Sequence, residues 1–223
     1  MSHILISGLV NTETTVRIRE FPIPYYPIDY PFFGIGTAVS GVGYNLSKAL
    51  RTLGDRVTLL SMTGEDLPGE TIRRELEAIG VDAGAVKNCL KETPSSVVLY
   101  DPDGKRQIYC DLKDIQETAY AFNASILEGI DLVAACNINF NRPLLHLAKQ
   151  TGKIIATDVH VLSDIYDEYN REFMEQADIL FLSDEAVGDN YRAFMEQLAD
   201  AYPSQIIVMG RGAQGAAIYL RET

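Results

Sequence analysis

Asn11 and Glu13 stand two residues apart just after an apolar strand, and Ser40-Gly41-Val42-Gly43-Tyr44-Asn45 opens an apolar helix. Side chains two apart on an extended segment share a face, so the Asn11 amide and the Glu13 carboxylate can address one ligand. An amide donates and accepts at once, and a carboxylate accepts from several donors. That combination suits a polyol, whose hydroxyls also do both. Glycine lacks Cβ and lets a backbone approach a small molecule closely, so Gly41, Val42 and Gly43 are read with Asn45 as ligand-holding groups. Without a ligand, the same residues make a capped strand end and a tight helix start.

The elements that must position these groups follow from periodicity. Apolar runs at 3–10, 57–62, 131–135, 153–157, 177–182 and 205–209 read as strands, the fourth of these ending at Asp158. Leu46, Ala49, Leu50 and Leu53 recur with helical spacing and Gly54 closes that helix. Further helices are predicted up to about Ile79, over 142–151, over 163–176 and up to about Tyr202. Segments 14–19, 96–100 and 106–110 alternate with period two, and Asp101-Pro102-Asp103-Gly104 makes a hairpin of the last two. Strands alternating with helices imply an α/β fold with a mainly parallel sheet. Ligands of such sheets collect at the C-terminal strand ends, here Asn11, Gly64, residues 136–141, Asp158, 183–185 and 210–212.

Residues 21–33 hold four of the nine prolines, which forbids a central strand there. Their aromatics either pack on the domain or form a pocket wall or a dimerising lid. Asn137, Asn139 and Asn141 either extend the substrate site or cap the following helix, Asn141 being its candidate N-cap. Asp158 and His160 lack metal-ligand spacing. Gly210-Arg211-Gly212-Ala213-Gln214-Gly215 spells the dinucleotide fingerprint, but a strand pattern follows where a helix is required. A nicotinamide-dependent oxidoreductase is set aside on that ground.

In order along the chain come Gly8-Leu9-Val10-Asn11-Thr12-Glu13, Ser40 to Asn45, Gly64-Glu65-Asp66-Leu67-Pro68-Gly69 and Gly80-Val81-Asp82. Together these resemble the ribokinase-like, or PfkB-type, carbohydrate kinases, in which Gly-x-x-Asn-x-Asp, Gly-Gly-x-Gly-x-Asn, Gly-x-Asp-x-x-Gly and Gly-Val-Asp occur in that order. Glu13 stands where the family has Asp. The resemblance implies one ribokinase-like α/β domain over 1–223 with a small β-sheet lid, its segments near 12–40 and 93–112. It also implies ATP-dependent, Mg2+-assisted phosphorylation of a sugar or nucleoside hydroxyl. Asn11, Glu13, Gly41, Val42, Gly43, Asn45 and Asn141 would hold the substrate, with Asp66 close by. Asp158, Ser183, Arg211, Gly212 and Gly215 would face the nucleotide. Ser183-Asp184-Glu185-Ala186 replaces the family's Asn-x-x-Glu, so Asp184 and Glu185 are the substitutes for holding Mg2+. No Gly-Ala-Gly-Asp run occurs, so the general base is expected beyond Thr223, in a segment this chain lacks. The alternative is a catalytically impaired, sugar-binding relative.

A formal charge of −12 argues against nucleic acid as partner. No apolar run approaches the roughly 20 residues of a membrane span. Three scattered cysteines point to a reduced, cytoplasmic compartment. A homodimer formed through the lid would suit the family and the aromatic segment.

Overall fold

Two kinds of strand build two sheets, and Asn11, Glu13 and Asn45 fall at the joint between them. A computed structural model describes residues 1–221. In chain order its strands are β1 (His3–Ser7), β2 (Asn11–Arg17), β3 (Ile35–Ser40), β4 (Arg56–Gly64), β5 (Asp82–Leu90), β6 (Ser95–Tyr100) and β7 (Arg106–Asp111). Then follow β8 (Leu132–Ala135), β9 (Ile154–Val161), β10 (Ile179–Ser183), β11 (Ile206–Gly210) and β12 (Ala216–Leu220). The helices are α1 (Val42–Thr52), α2 (Leu67–Ala78), α3 (Arg142–Gln150), α4 (Arg171–Gln176) and α5 (Tyr191–Ala201).

The apolar runs form an eight-stranded sheet in the order β12-β11-β10-β9-β8-β1-β4-β5. All its pairs are parallel except β11 with β12. Strands buried on both faces must be apolar on both faces. Ile4 and Ile6 of β1 accordingly join one cluster under α1 and α2, while Leu5 joins the other, under α3 to α5. The alternating segments, joined by Ile35–Ser40, which was not read as a strand, form a second sheet, β3-β2-β6-β7. β1 feeds through this small sheet and α1 to β4 on one side, whereas β8 flanks β1 on the other. The strand order therefore reverses between β1 and β8, which opens a crevice at their C-terminal ends.

Several boundaries differ from the expectations. β1 stops at Ser7, and β5, which carries no clear periodicity, was not foreseen. Residues 112–130 supply Ile115, Tyr120, Leu127 and Ile130 to the larger core although no pattern marks them. The helix expected over 163–176 begins only at Arg171. Asp164 accepts from the Tyr166 amide and Asp167 from the Asn170 amide, so short acidic side chains capture backbone donors in turns instead. β9 does not end at Asp158 but runs on to Val161. A register shift against β10 places a bulge there, and His160 takes φ 58 while its amide donates to Asp158 Oδ1 at 2.7 Å. Bulges re-aim side chains beside sites.

On the α1 side of the sheet, no helix among the described residues covers β9 to β12, and Phe181 is 39% and Ile218 64% exposed. No helix among the described residues is long and apolar enough to cross a membrane.

Candidate active site

The joint is built by close backbone contacts. Gly41 precedes α1 with φ 98, and a Cβ on it would lie 2.5 Å from the Leu9 carbonyl oxygen. A Cβ on Gly43 would meet the same oxygen at 2.9 Å, and the Gly43 amide donates to it at 2.9 Å. A Cβ on Gly8 would lie 2.3 Å from Cys136 Sγ. These glycines thus serve first to press the start of α1, the end of β1 and the segment after β8 together. The close approach expected for a ligand is made by the protein's own backbone.

That contact sets Asn45 opposite the small sheet. Asn45 Nδ2 donates to Ser40 Oγ at 3.4 Å, and Ser40 Oγ donates to Glu13 Oε2 at 3.3 Å. Two residues nearer the hinge, Asn11 Nδ2 donates to Ser96 Oγ at 2.9 Å. The Asn11 side chain is buried, and its Oδ1 has no partner among the described residues. A buried acceptor left unpaired costs about 1–3 kcal/mol, so Oδ1 is set to receive a donor from something else. Register pairs Glu13 with Ser96 and Ser96 with Cys110. Partial burial, followed by the Asp111 and Glu13 carboxylates, pushes the Cys110 thiol up, consistent with a place on the Glu13 face. Asn11, Glu13, Ser40, Asn45 and Ser96 therefore form one polar wall.

Asp66 lies at the joint too, but in another office. Its Oδ1 accepts from the Thr93 hydroxyl and the Gly69 amide, and its Oδ2 from the Thr93 amide at 2.8 Å. The Thr93 hydroxyl also receives the Gly64 amide at 2.9 Å. Asp66 thus pins the root of β6 to the start of α2, and Gly64 and Gly69 leave room for this knot. Burial alone would raise the Asp66 carboxyl, but the Thr93 and Gly69 donors and the Arg73 charge hold it below its usual value. A carboxyl depressed in the folded state stabilises it at neutral pH, and that contribution is lost as pH falls through the folded value. Thr93→Val is expected to lose about 1–2 kcal/mol in urea unfolding at neutral pH. The gap to the parent should narrow in acid, where Asp66 is protonated in both; a gap independent of pH would exclude the carboxylate as the anchor.

From Asn45 a cavity of about 370 Å³ extends over the uncovered face of the sheet, lined by Val42, Leu46, Ala135, Cys136, Asp158 and Phe181. Burial and then the nearby Asp158 carboxylate push the Cys136 thiol up to about 12, so it stays protonated. Farther along, the Ser183 hydroxyl receives the Glu185 amide at 3.3 Å. Arg211 Nε donates to Asp184 Oδ2 at 3.3 Å and the guanidinium lies 3.8 Å from the Tyr191 ring centroid. Gly212 and Gly215 take φ 53 and 88 in the turn between β11 and β12, with open space around both. A strand, not a helix, follows them, as expected from the pattern.

Two placements depart from the sequence reading. Asn141 is fully buried: Nδ2 donates to the Ser7 carbonyl at 2.9 Å and the Cys136 carbonyl at 2.8 Å, and Oδ1 accepts from the Ser7 hydroxyl. Its amide is spent tying the ends of β1 and β8 together. It does not face the cavity; it stands as the N-cap residue of α3, as expected, but its side chain makes no cap hydrogen bond. Asp184 is likewise engaged, by Arg211, leaving Glu185 as the exposed carboxylate. Among the described residues no group of three or more His, Cys, Asp or Glu gathers to hold a metal. Mg2+ keeps several waters and asks for only one or two carboxylates, so Glu185 fits such an ion better than Asp184.

Ser40 and Ser96 were not singled out as site residues. The alternation of the hairpin places Ser96 on one face of its strand, but only the pairing of β2 with β6 shows that Asn11 lies beneath it.

The sequence profile of the pfkB family carbohydrate kinases matches residues 33–223. No curated protein matches the chain. Among solved structures, a microbiome-derived acarbose kinase superposes with a TM-score of 0.83 at 22% identity, covering 100% of this chain and 74% of that one. Ribokinase of Arabidopsis thaliana, complexed with ribose and ATP, gives 0.77 at 17% identity over 99% of this chain and 76% of its own. A nucleoside kinase of Methanocaldococcus jannaschii gives 0.75 at 18% identity over 100% and 75%. These likenesses show the fold: a mainly parallel sheet flanked by helices with a small second sheet.

Proposed function

Because the chain belongs to the pfkB family of carbohydrate kinases, we propose that its polar wall binds a sugar or nucleoside whose hydroxyl receives the γ-phosphoryl group of ATP. The observation that carries this reading is the buried, unpaired Asn11 Oδ1 beside the chain of contacts from Glu13 through Ser40 to Asn45. A sugar hydroxyl donating to Asn11 Oδ1 and others donating to Glu13 would satisfy it. The small sheet then acts as a lid that excludes water from the reacting groups.

Arg211, beside Ser183 and the Gly212–Gly215 turn, offers its charge to phosphates, and Asp158 faces the cavity between the two halves. Mg2+, held through water by Glu185, would neutralise phosphate charge during transfer. The residues named here bind and orient the substrates. A second reading, sugar binding without transfer, is favoured by the Asp184–Arg211 pair, which occupies a carboxylate at the substituted motif. The exposed aromatics Tyr25, Phe32 and Phe33 on the lid suit a second copy of this chain, which sedimentation would detect.

Calorimetric titration with monosaccharides and nucleosides, alone and with an ATP analogue, tests the binding reading. Asn45→Ala removes only a long contact to Ser40, so its unfolding midpoint should stay close to the parent's. Its ligand affinity should fall about tenfold. Unaltered affinity would remove Asn45 from the site. ADP release on adding sugar separates transfer from binding alone.

A further inference from the structure

The polar wall is only the lower part of a longer surface. Side chains alternate along a strand, so Asn11, Glu13, Thr15 and Arg17 share one face of β2. Register continues each of them across the lid. Glu13 lines up with Ser96 and Cys110, Thr15 with Val98 and Ile108, and Arg17 with Tyr100 and Arg106. The face that carries the sugar-directed carboxylate at its root therefore ends, at its tip, in an arginine–tyrosine–arginine row.

Arg17 lies four positions beyond Glu13, about 13 Å along a strand. Arg17 and Arg106 flank Tyr100 from the two neighbouring strands, each about 5 Å away. Their long side chains can thus converge above the tyrosine. Among the described residues neither guanidinium has a hydrogen-bond or ion-pair partner for its side chain. Arg19, two residues on, does pair, with Asp29 at 2.7 Å. In a chain of net charge −12, two unpaired guanidinium groups on the ligand-facing side of a lid form a local basic spot. A guanidinium presents a planar fork of donors that matches carboxylate and phosphate oxygens.

We infer that Arg17 and Arg106, with the Tyr100 hydroxyl between them, form an anion subsite at the tip of the lid. It receives a phosphate or carboxylate group carried by the substrate at the end remote from the accepting hydroxyl. The inference rests on the sugar-binding reading of the lower wall and narrows it to anionic sugars or nucleosides. The lid then reads both ends of one molecule: hydroxyls at Asn11 and Glu13, and negative charge at the tip.

The test is calorimetry on the full chain with neutral sugars and nucleosides, their phosphate esters and the corresponding sugar acids. At least one anionic compound should bind tenfold or more tightly than its neutral parent, with an advantage that shrinks as salt rises. Whether the ester or the acid gains more identifies the group. The double variant Arg17→Ala/Arg106→Ala should abolish the advantage and leave the neutral parent's affinity unchanged, while Arg17→Lys/Arg106→Lys should restore part of it. Circular dichroism confirms that the variants fold. Equal binding of neutral and anionic compounds, or equal losses for both in the double variant, overturns the subsite while the sugar-binding reading stands. Failure of every compound to bind overturns both.

Discussion

Glu13→Ala is expected to weaken sugar binding by ten- to a hundredfold while leaving the unfolding midpoint almost unmoved. The reason lies in what the carboxylate touches. Within the protein it receives one long contact, from Ser40 Oγ at 3.3 Å, and among the described residues it forms no ion pair. Its loss therefore removes little from the fold. Towards a ligand it is the one ionised acceptor of the wall, and hydrogen bonds to charged groups contribute about 1.5–3 kcal/mol, or roughly one to two powers of ten in affinity. Glu13→Gln keeps the shape and removes the charge, so it should fall between parent and alanine variant. Calorimetry on the three proteins is the measurement. Equal affinities would mean that the carboxylate serves the lid and not the ligand.

Gly41→Ala should be the most damaging small substitution at the joint, lowering stability by about 2–5 kcal/mol of the 5–15 typical for a domain. Two effects combine. At φ 98 a side chain is strained, and the new methyl would lie 2.5 Å from the Leu9 carbonyl oxygen and 3.0 Å from Val10 Cα. Gly54 is the comparison, because it too has φ 98 but nothing within 4 Å of an added Cβ. Gly54→Ala should thus show the backbone strain alone, about 1–2 kcal/mol. Urea unfolding of the two variants sets a crowded glycine, which at ψ 152 also lies in a region other residues avoid, against an open one. Equal losses would mean that the Leu9 contact relaxes freely. Where Gly41→Ala still folds, α1 must shift away from Leu9, carrying Asn45 from Glu13, so sugar affinity should fall as well.

Much of the architecture was legible because local patterns carry it. The βα rhythm gave the large sheet, and period-two alternation around Asp101–Gly104 gave the hairpin of the lid. The wall was legible in part: Asn11, Glu13 and Asn45 do come together. What escaped depends on partners distant in sequence. Asp66 looks like a ligand group until Thr93, 27 residues on, is seen to take its oxygens. Asn141 stands at the N-cap of α3 as its type suggests, but it also looks like a substrate contact until Ser7 closes on its amide from β1. The helix before Arg171 yielded to Asp164 and Asp167, whose competition with helical hydrogen bonds depends on the neighbouring chain. The glycines of the helix start were read for a ligand because their real neighbour, the Leu9 carbonyl, is invisible in a linear motif.

The parallel pairing of β2 with β6 has a kinetic corollary. A parallel pair cannot close as a local hairpin, and these two strands are separated in sequence by β3, α1, β4, α2 and β5. The lid can assemble only after those crossovers have brought its two halves together, and contacts that close long loops form late in folding. It is also held to the large sheet by a few hinge segments rather than by a core of its own, which marks it as the first part to open. During gradual unfolding, amide protons of β2 and β6 should exchange ahead of those of β1 and β4, and sugar affinity should vanish while most of the helical signal persists.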